Sequence, residues 1–194
     1  MEIQRQEAKP NFQELSPEIE TKLGLKLDHQ DNRRKIYIIT DPEKFLLESG
    51  DFAGIGFSYS KIKKLFEKYP NGLKQMFIIE PSNQEMQLGG HYHTPLKSEG
   101  TGQEIFLFID VPTETTIKAE QYQLDQSKGL ISYRVKSGDE ITNGPYQHHT
   151  FTCNGPFTMM QLTEAKTFKD DDLHQFSADD WSQETGRLIP KTEK

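Results

Sequence analysis

Cysteine is all but missing from this chain: Cys153 is the single one in 194 residues, so no disulfide can form within it. That fits a reducing compartment and leaves the fold to its own apolar core. Long apolar runs are missing too. No window approaches the roughly eighteen apolar residues that a spanning helix needs. The opening stretch MEIQRQEAKPNFQE lacks the apolar segment of a secretory signal. A cytoplasmic protein with no membrane attachment is the expectation. Basic charge is in deficit as well, with 23 Lys and Arg against 30 Asp and Glu and a net charge of −7. An acidic chain is repelled by phosphate backbones and anionic lipid, so no nucleic acid is expected as partner and a small-molecule ligand is. The short basic runs Arg33-Arg34-Lys35 and Lys61 to Lys64 read as solvated surface. Hydrophobic residues make up only 33% of the chain, so the core occupies part of it and polar ends lie outside.

What is present falls into four stretches. Residues 1–35 are polar and weakly periodic, and read as an arm, partly disordered or packed on a neighbour. Ser16-Pro17 could start a short helix there, with a hydroxyl cap followed by proline at the first helical position. Residues 36–74 read as a small α/β lead-in packed on the strand-rich stretch after it. The lead-in has a strand at Ile36 to Ile39, a helix from the Asp41 cap to Glu48, and a helix capped by Ser60 with Ile62, Leu65, Phe66 and Tyr69 on one face. From 75 to 162 the texture becomes short strands at regular spacing. Turn signals such as Ser137-Gly138-Asp139, Asn143-Gly144-Pro145 and Asn154-Gly155-Pro156 divide them, which is the pattern of a sandwich or barrel. Residues 163–194 return to a polar tail, with Ser177 to Asp180 capping a short helix that carries Trp181.

The chemistry-bearing residues lie in the strand-rich stretch. Of six histidines, His29 and His174 stand alone and receive no role. His91 and His93 are two apart, so on a strand they share one face about 6–7 Å apart and can converge on a metal. Alternatively they are a chance pair on a sheet surface. Glu104 opens the apolar run Glu104-Ile105-Phe106-Leu107-Phe108-Ile109. If Phe106 and Phe108 face inward, the same period turns Glu104 inward, where a carboxylate is costly unless paired or coordinated. Otherwise Glu104 precedes the strand and stays in water. Glu99 is the rival carboxylate, in the stretch Pro95 to Gly102 that reads as a loop at the mouth of the pocket.

Gly90-His91-Tyr92-His93, Glu104, and Gly138-Asp139 followed by Pro145-Tyr146-Gln147-His148-His149 together resemble the two motifs of the cupins. In that family a His-x-His and a Glu are joined by a later His ten places after a Gly-Asp pair. Ten places on from Asp139 is His149, and His148 is the alternative. The resemblance implies a mainly β protein, a cupin-type antiparallel β-barrel (double-stranded β-helix). It also implies one divalent transition metal (Fe, Mn, Ni, Co or Zn) on His91, His93, Glu104 and His149. The Gly-His-x-His and Pro-Tyr-x-x-His runs are similar to the cupin-type phosphoglucose isomerases, which implies sugar-phosphate isomerisation. An Fe(II)-dependent dioxygenase of a small aromatic or thiol substrate is a second expectation, and a non-enzymatic small-ligand binding or sensor module a third. Thr94, Phe106, Tyr133, Tyr146 and Gln147 are the candidate substrate contacts. A homodimer is compatible with the family, through addition of the strand near Ile36 and the polar arm to a sheet edge.

Overall fold

The computed structural model describes residues 12–51, 59–80, 84–93, 103–123, 130–164, 173–175, 181–182 and 187–188. Two antiparallel sheets dominate. The six-stranded one runs, edge to edge, β1 (Leu25–Gln30), β2 (Arg34–Ile39), β3 (Lys74–Ile79), β10 (Phe157–Thr163), β5 (Glu104–Asp110) and β8 (Glu140–Asn143). The five-stranded one runs β11 (Leu173–Gln175), β4 (Met86–His93), β9 (Gln147–Cys153), β6 (Ile117–Gln123) and β7 (Ile131–Val135). Stripped of the added strands, the order β3-β10-β5-β8 faces β4-β9-β6-β7. The chain crosses between sheets from β3 to β4, β4 to β5 and β5 to β6, turns back at the β6–β7 hairpin, and retraces its path. That interleaving is the double-sheet jelly roll, so the fold is the mainly β, cupin-type barrel that the sequence implies.

β5 explains the layering. Its residues from Glu104 to Ile109 are all buried, because the strand is covered on both faces. Ile105, Leu107 and Ile109 point outward into one core, while Phe106 and Phe108 point into the barrel. The outer core is completed by α2 (Pro42–Glu48) and α3 (Tyr59–Lys68), through Phe45, Leu46, Ile62 and Phe66. The inner core joins Phe106, Phe108, Ile117, Phe151 and Phe157 between the two sheets. Helix starts follow local chemistry: the Asp41 carboxylate accepts from Lys44 N at 2.9 Å ahead of Pro42. Ser16 Oγ accepts from Ile19 N at 3.3 Å to open α1 (Pro17–Lys22).

Several expectations are corrected. Residues 12–35 do not form an arm: Phe12 and Leu23 are fully buried in the outer core, and Tyr37 Oη donates to Glu20 Oε1 at 2.8 Å, fixing α1 to β2. β1 escapes a pattern search because it buries only Leu25 and exposes the rest; its backbone ladder to β2 holds it, not a hydrophobic face. β2 lies between β1 and β3, so the strand near Ile36 has no edge left for a dimer. α3 begins at Tyr59, which puts Ser60 inside the first turn rather than at the cap. Trp181 sits in a two-residue strand, β12 (Trp181–Ser182), paired with β13 (Arg187–Leu188), not in a helix; the cap at Ser177 to Asp180 lies outside the described residues. The polar tail also supplies β11, which pairs with β4. No helix among the described residues is long and apolar enough to cross a membrane.

Two outcomes test this layering. Leu107→Ala opens the outer core at a cost of about 2–5 kcal/mol, and Phe108→Ala the inner core at about 3–5 kcal/mol, both read by urea denaturation. Each acts alone because the two side chains lie on opposite faces of β5. The β1–β2 hairpin has its own pH signature. Asp31 accepts from Arg33 N at 2.8 Å, Arg34 N at 3.0 Å and Arg34 Nε at 2.9 Å. These contacts, that from Arg33 N foremost, lower its pKa from 3.8 to about 2. A lowered carboxylate stabilises the fold above its unfolded value, and the effect is lost as pH falls through the folded value. Amide exchange in β1 and β2 is therefore expected to rise between pH 3.8 and about 2, and to lose that step in Asp31→Ala.

Candidate metal centre

The inner face of the barrel changes character at one end. Toward Phe108 and Phe157 it is apolar; toward Glu104 and His149 it is polar. The change is built by strand period. Glu104 shares the face of Phe106 and Phe108, as the two-residue alternation requires, and is 1% exposed. His149 shares the face of Phe151 and Cys153 on β9 and is likewise 1% exposed. His148, one residue earlier, therefore points the other way. Burial, followed by the charge of His149 beside it, pushes the His148 pKa down to about 4.

His91 reaches the same place through a bulge. β4 and β9 pair Gly89 with Thr150, then His91 with His149, so Gly90 is the extra residue. Gly89 and Gly90 have φ of 80° and 84°, a region that side chains disfavour. At Gly89 the reason for glycine is doubled, because a Cβ there would lie 2.8 Å from His149 O. The bulge sets the His91 and His149 rings edge to face, with centroids 4.6 Å apart.

One ligand atom each from His91, Glu104 and His149 lies within 4.8 Å of the others. Glu104 Oε2 is 3.1 Å from His149 Nε2, while Gln161 Nε2 donates to Glu104 Oε1 and holds the carboxylate. His149 Nδ1 is 3.3 Å from Gln147 O. A carbonyl oxygen only accepts, so Nδ1 carries a proton, and in the neutral tautomer an Nε2 lone pair faces the carboxylate. Two acceptors in that position repel unless a proton or a cation lies between them. A proton serves two groups; three converging donors of the His and carboxylate type suit a divalent ion. The 3.1 Å between the pair is short enough for both atoms to reach one ion at ordinary ligand distances of about 2.0–2.2 Å. The residues fit a divalent metal.

The other expected residues fall in varied places. His93 ends β4, but its side chain lies outside the described residues, as do Thr94, Glu99 and the loop Pro95 to Gly102. Phe106 is buried against His149 at 5.6 Å between ring centroids, with Phe151 behind it. Tyr133 Oη donates to Gln121 Oε1 at 3.1 Å. Tyr146 is exposed, adopts φ 59°, and has its ring 6.5 Å from Tyr92. Gln147 Oε1 accepts from Gly144 N at 3.0 Å, and its backbone carbonyl lies 3.3 Å from His149 Nδ1, so it also orients His149. Sequence reading missed Gln121, Asn143 and Gln161. The period that turned Glu104 inward also turns Asn143 inward beyond Ile141 and Gln161 inward beyond Met159, and a lone amide at the end of an apolar face was the available signal.

No family model matches the chain, and no curated protein does. Solved structures with a similar backbone include the capsular polysaccharide assembling protein CapF from Staphylococcus aureus, at 12% identity and a TM-score of 0.48, over 79% of this chain and 32% of that one. The Lactobacillus farciminis oxalate decarboxylase formate complex is similar at 13% identity and a TM-score of 0.42, over 75% of this chain and 32% of that one. A Bacillus subtilis oxalate decarboxylase with Mn(II) centres is similar at 11% identity and a TM-score of 0.42, over 74% of this chain and 29% of that one. The matched region is about a third of each of those chains. Likenesses of this strength leave metal, substrate and reaction to the chain's own residues.

The bulge makes a prediction. Gly89→Ala forces a Cβ against His149 O and a left-handed backbone on alanine, and is expected to cost about 1–3 kcal/mol in urea denaturation. Gly50→Ala, where nothing lies within 4 Å of the added carbon, is the control, expected to change stability by under about 0.5 kcal/mol.

Proposed function

We propose that this chain binds one divalent transition metal ion through His91, Glu104 and His149, with His93 as the fourth ligand, and acts with it on a small-molecule substrate. The observation that carries this reading is the convergence of one ligand atom each from His91, buried Glu104 and buried His149 within 4.8 Å of one another, with Glu104 Oε2 3.1 Å from His149 Nε2. When bound, such an ion acts as a Lewis acid toward a carbonyl or hydroxyl oxygen. The chain's own residues do the positioning. Gln161 holds Oε1 of Glu104 so that Oε2 is presented, and Gln147 fixes the tautomer that exposes His149 Nε2.

The wall beside the triad favours an oxygen-rich substrate. Asn143 brings a buried amide donor to the inner face directly across the ladder from Glu104, which suits isomerisation of a sugar phosphate or a related carbonyl compound. A second reading has its own support. Phe106 and Phe151 pack against His149, and an apolar floor suits an Fe(II)-dependent dioxygenase acting on a small aromatic or thiol compound.

Elemental analysis of protein produced in metal-replete medium is expected to find about one equivalent of divalent metal, falling to background in the double variant His91→Ala, His149→Ala. Affinity is expected to weaken from about pH 7.5 to about pH 5, because imidazoles must be neutral to bind metal. A metal-free wild type would sink the proposal. Oxygen consumption with Fe(II) and candidate thiols separates the two reactions: uptake favours the dioxygenase, and aldose–ketose interconversion without uptake favours the isomerase.

A further inference from the structure

Across the β5–β8 ladder, directly opposite Glu104, stands Asn143. It is 1% exposed and shares the inner face with Glu104. Its amide orientation is fixed by a chain of hydrogen bonds anchored on backbone. Gln121 Nε2 donates to Thr142 O at 3.1 Å. A carbonyl only accepts, so the nitrogen of Gln121 must be the atom on that side, and its oxygen accepts from Tyr133 Oη at 3.1 Å. The same nitrogen donates to Asn143, so the Asn143 atom that meets it is Oδ1. The remaining atom, Asn143 Nδ2, is buried and has no hydrogen-bond partner among the described residues.

A buried amide donor without an acceptor destabilises the fold, and its persistence calls for a partner. Cross-strand neighbours on one face have Cβ atoms about 4.5–5.5 Å apart, so a group seated beside Glu104 is within reach of Asn143. We propose that Asn143 Nδ2 is a ligand-binding donor of the metal centre. It takes an acceptor-only oxygen, a carbonyl or a carboxylate, of the small molecule bound there; this rests on the metal reading above. Gln121 and Tyr133 do not touch the ligand. They are positioning residues that present the nitrogen.

The test uses the full chain loaded with Mn(II), whose paramagnetism broadens the methyl proton resonance of any small molecule bound nearby. The probes are acetate and hydroxyacetone. Saturable broadening by at least one is expected in the wild type: acetate alone marks a carboxylate ligand, hydroxyacetone alone a carbonyl compound. Asn143→Leu, similar in size and without the donor, is expected to weaken that probe at least tenfold. Mn(II) affinity should stay within threefold of wild type, and because the change also takes the Oδ1 acceptor from Gln121 Nε2, a fall in the thermal midpoint is expected whatever the role of Asn143. A purely structural asparagine would lower the midpoint and leave the probe's affinity alone. Asn143→Ala supplies the same comparison if the leucine variant does not fold. A wild type that binds Mn(II) but neither probe, or equal probe affinity in wild type and variants, overturns the subsite alone. A wild type that takes up no Mn(II) overturns the metal reading and the subsite with it.

Discussion

Glu104 and His149 approach to 3.1 Å in a place where both are 1% exposed, and much of the barrel mouth is arranged around that pair. Taking a carboxylate out of water is costly, and the cost is offset only through paired, well-oriented partners. The partners come from separate strands: Gln161 from β10 and His149 from β9 touch Glu104 directly, while His91 from β4 reaches the same cluster through the glycine bulge. Four strands drawn from both sheets thus meet at one point. The centre is also a clasp between the sheets at the polar end of the barrel, where the apolar core has run out.

The opposite face of β5 makes that arrangement possible. Ile105, Leu107 and Ile109 bury into the outer core against α2, α3 and the strands β2 and β3. The strand is therefore held by apolar packing on one side while it carries a charge on the other. The lead-in is what provides the cover: without Phe45, Ile62 and Phe66 the outer face of a jelly-roll strand would lie in water. The N-terminal segment and the helices thus serve the site indirectly, by allowing β5 to be buried on both faces.

Polar groups at the mouth divide into two kinds. Some act through a neighbour: Gln161 through Glu104, Gln147 through His149, and Tyr133 and Gln121 through Asn143. Others face the interior themselves. The division follows donor capacity, because Gln121 Nε2 spends both hydrogens, on Thr142 O and Asn143 Oδ1, while Asn143 Nδ2 has no acceptor among the described residues. Gln121 is used at both ends; Asn143 is used at one.

Much of the barrel was legible in the chain itself. The two-residue period set the inward face of β5 and with it the orientation of Glu104. Two helix caps were equally legible, since Asp41 and Ser16 act on backbone three residues away; Ser60 instead lies inside α3. The same local rules failed at β1, where only Leu25 is buried, and they did not mark β11 and β12, which pair with β4 and β13. Which side chains share a face is a property of the chain alone, because it depends on strand period and nothing more distant. It took the folded barrel to show that His149 rather than His148 meets His91 and Glu104, that Gly90 is a bulge, and that Asn143 is left with an unused donor. Those facts depend on the register between strands far apart in the chain, and register is fixed by the packing of the whole barrel.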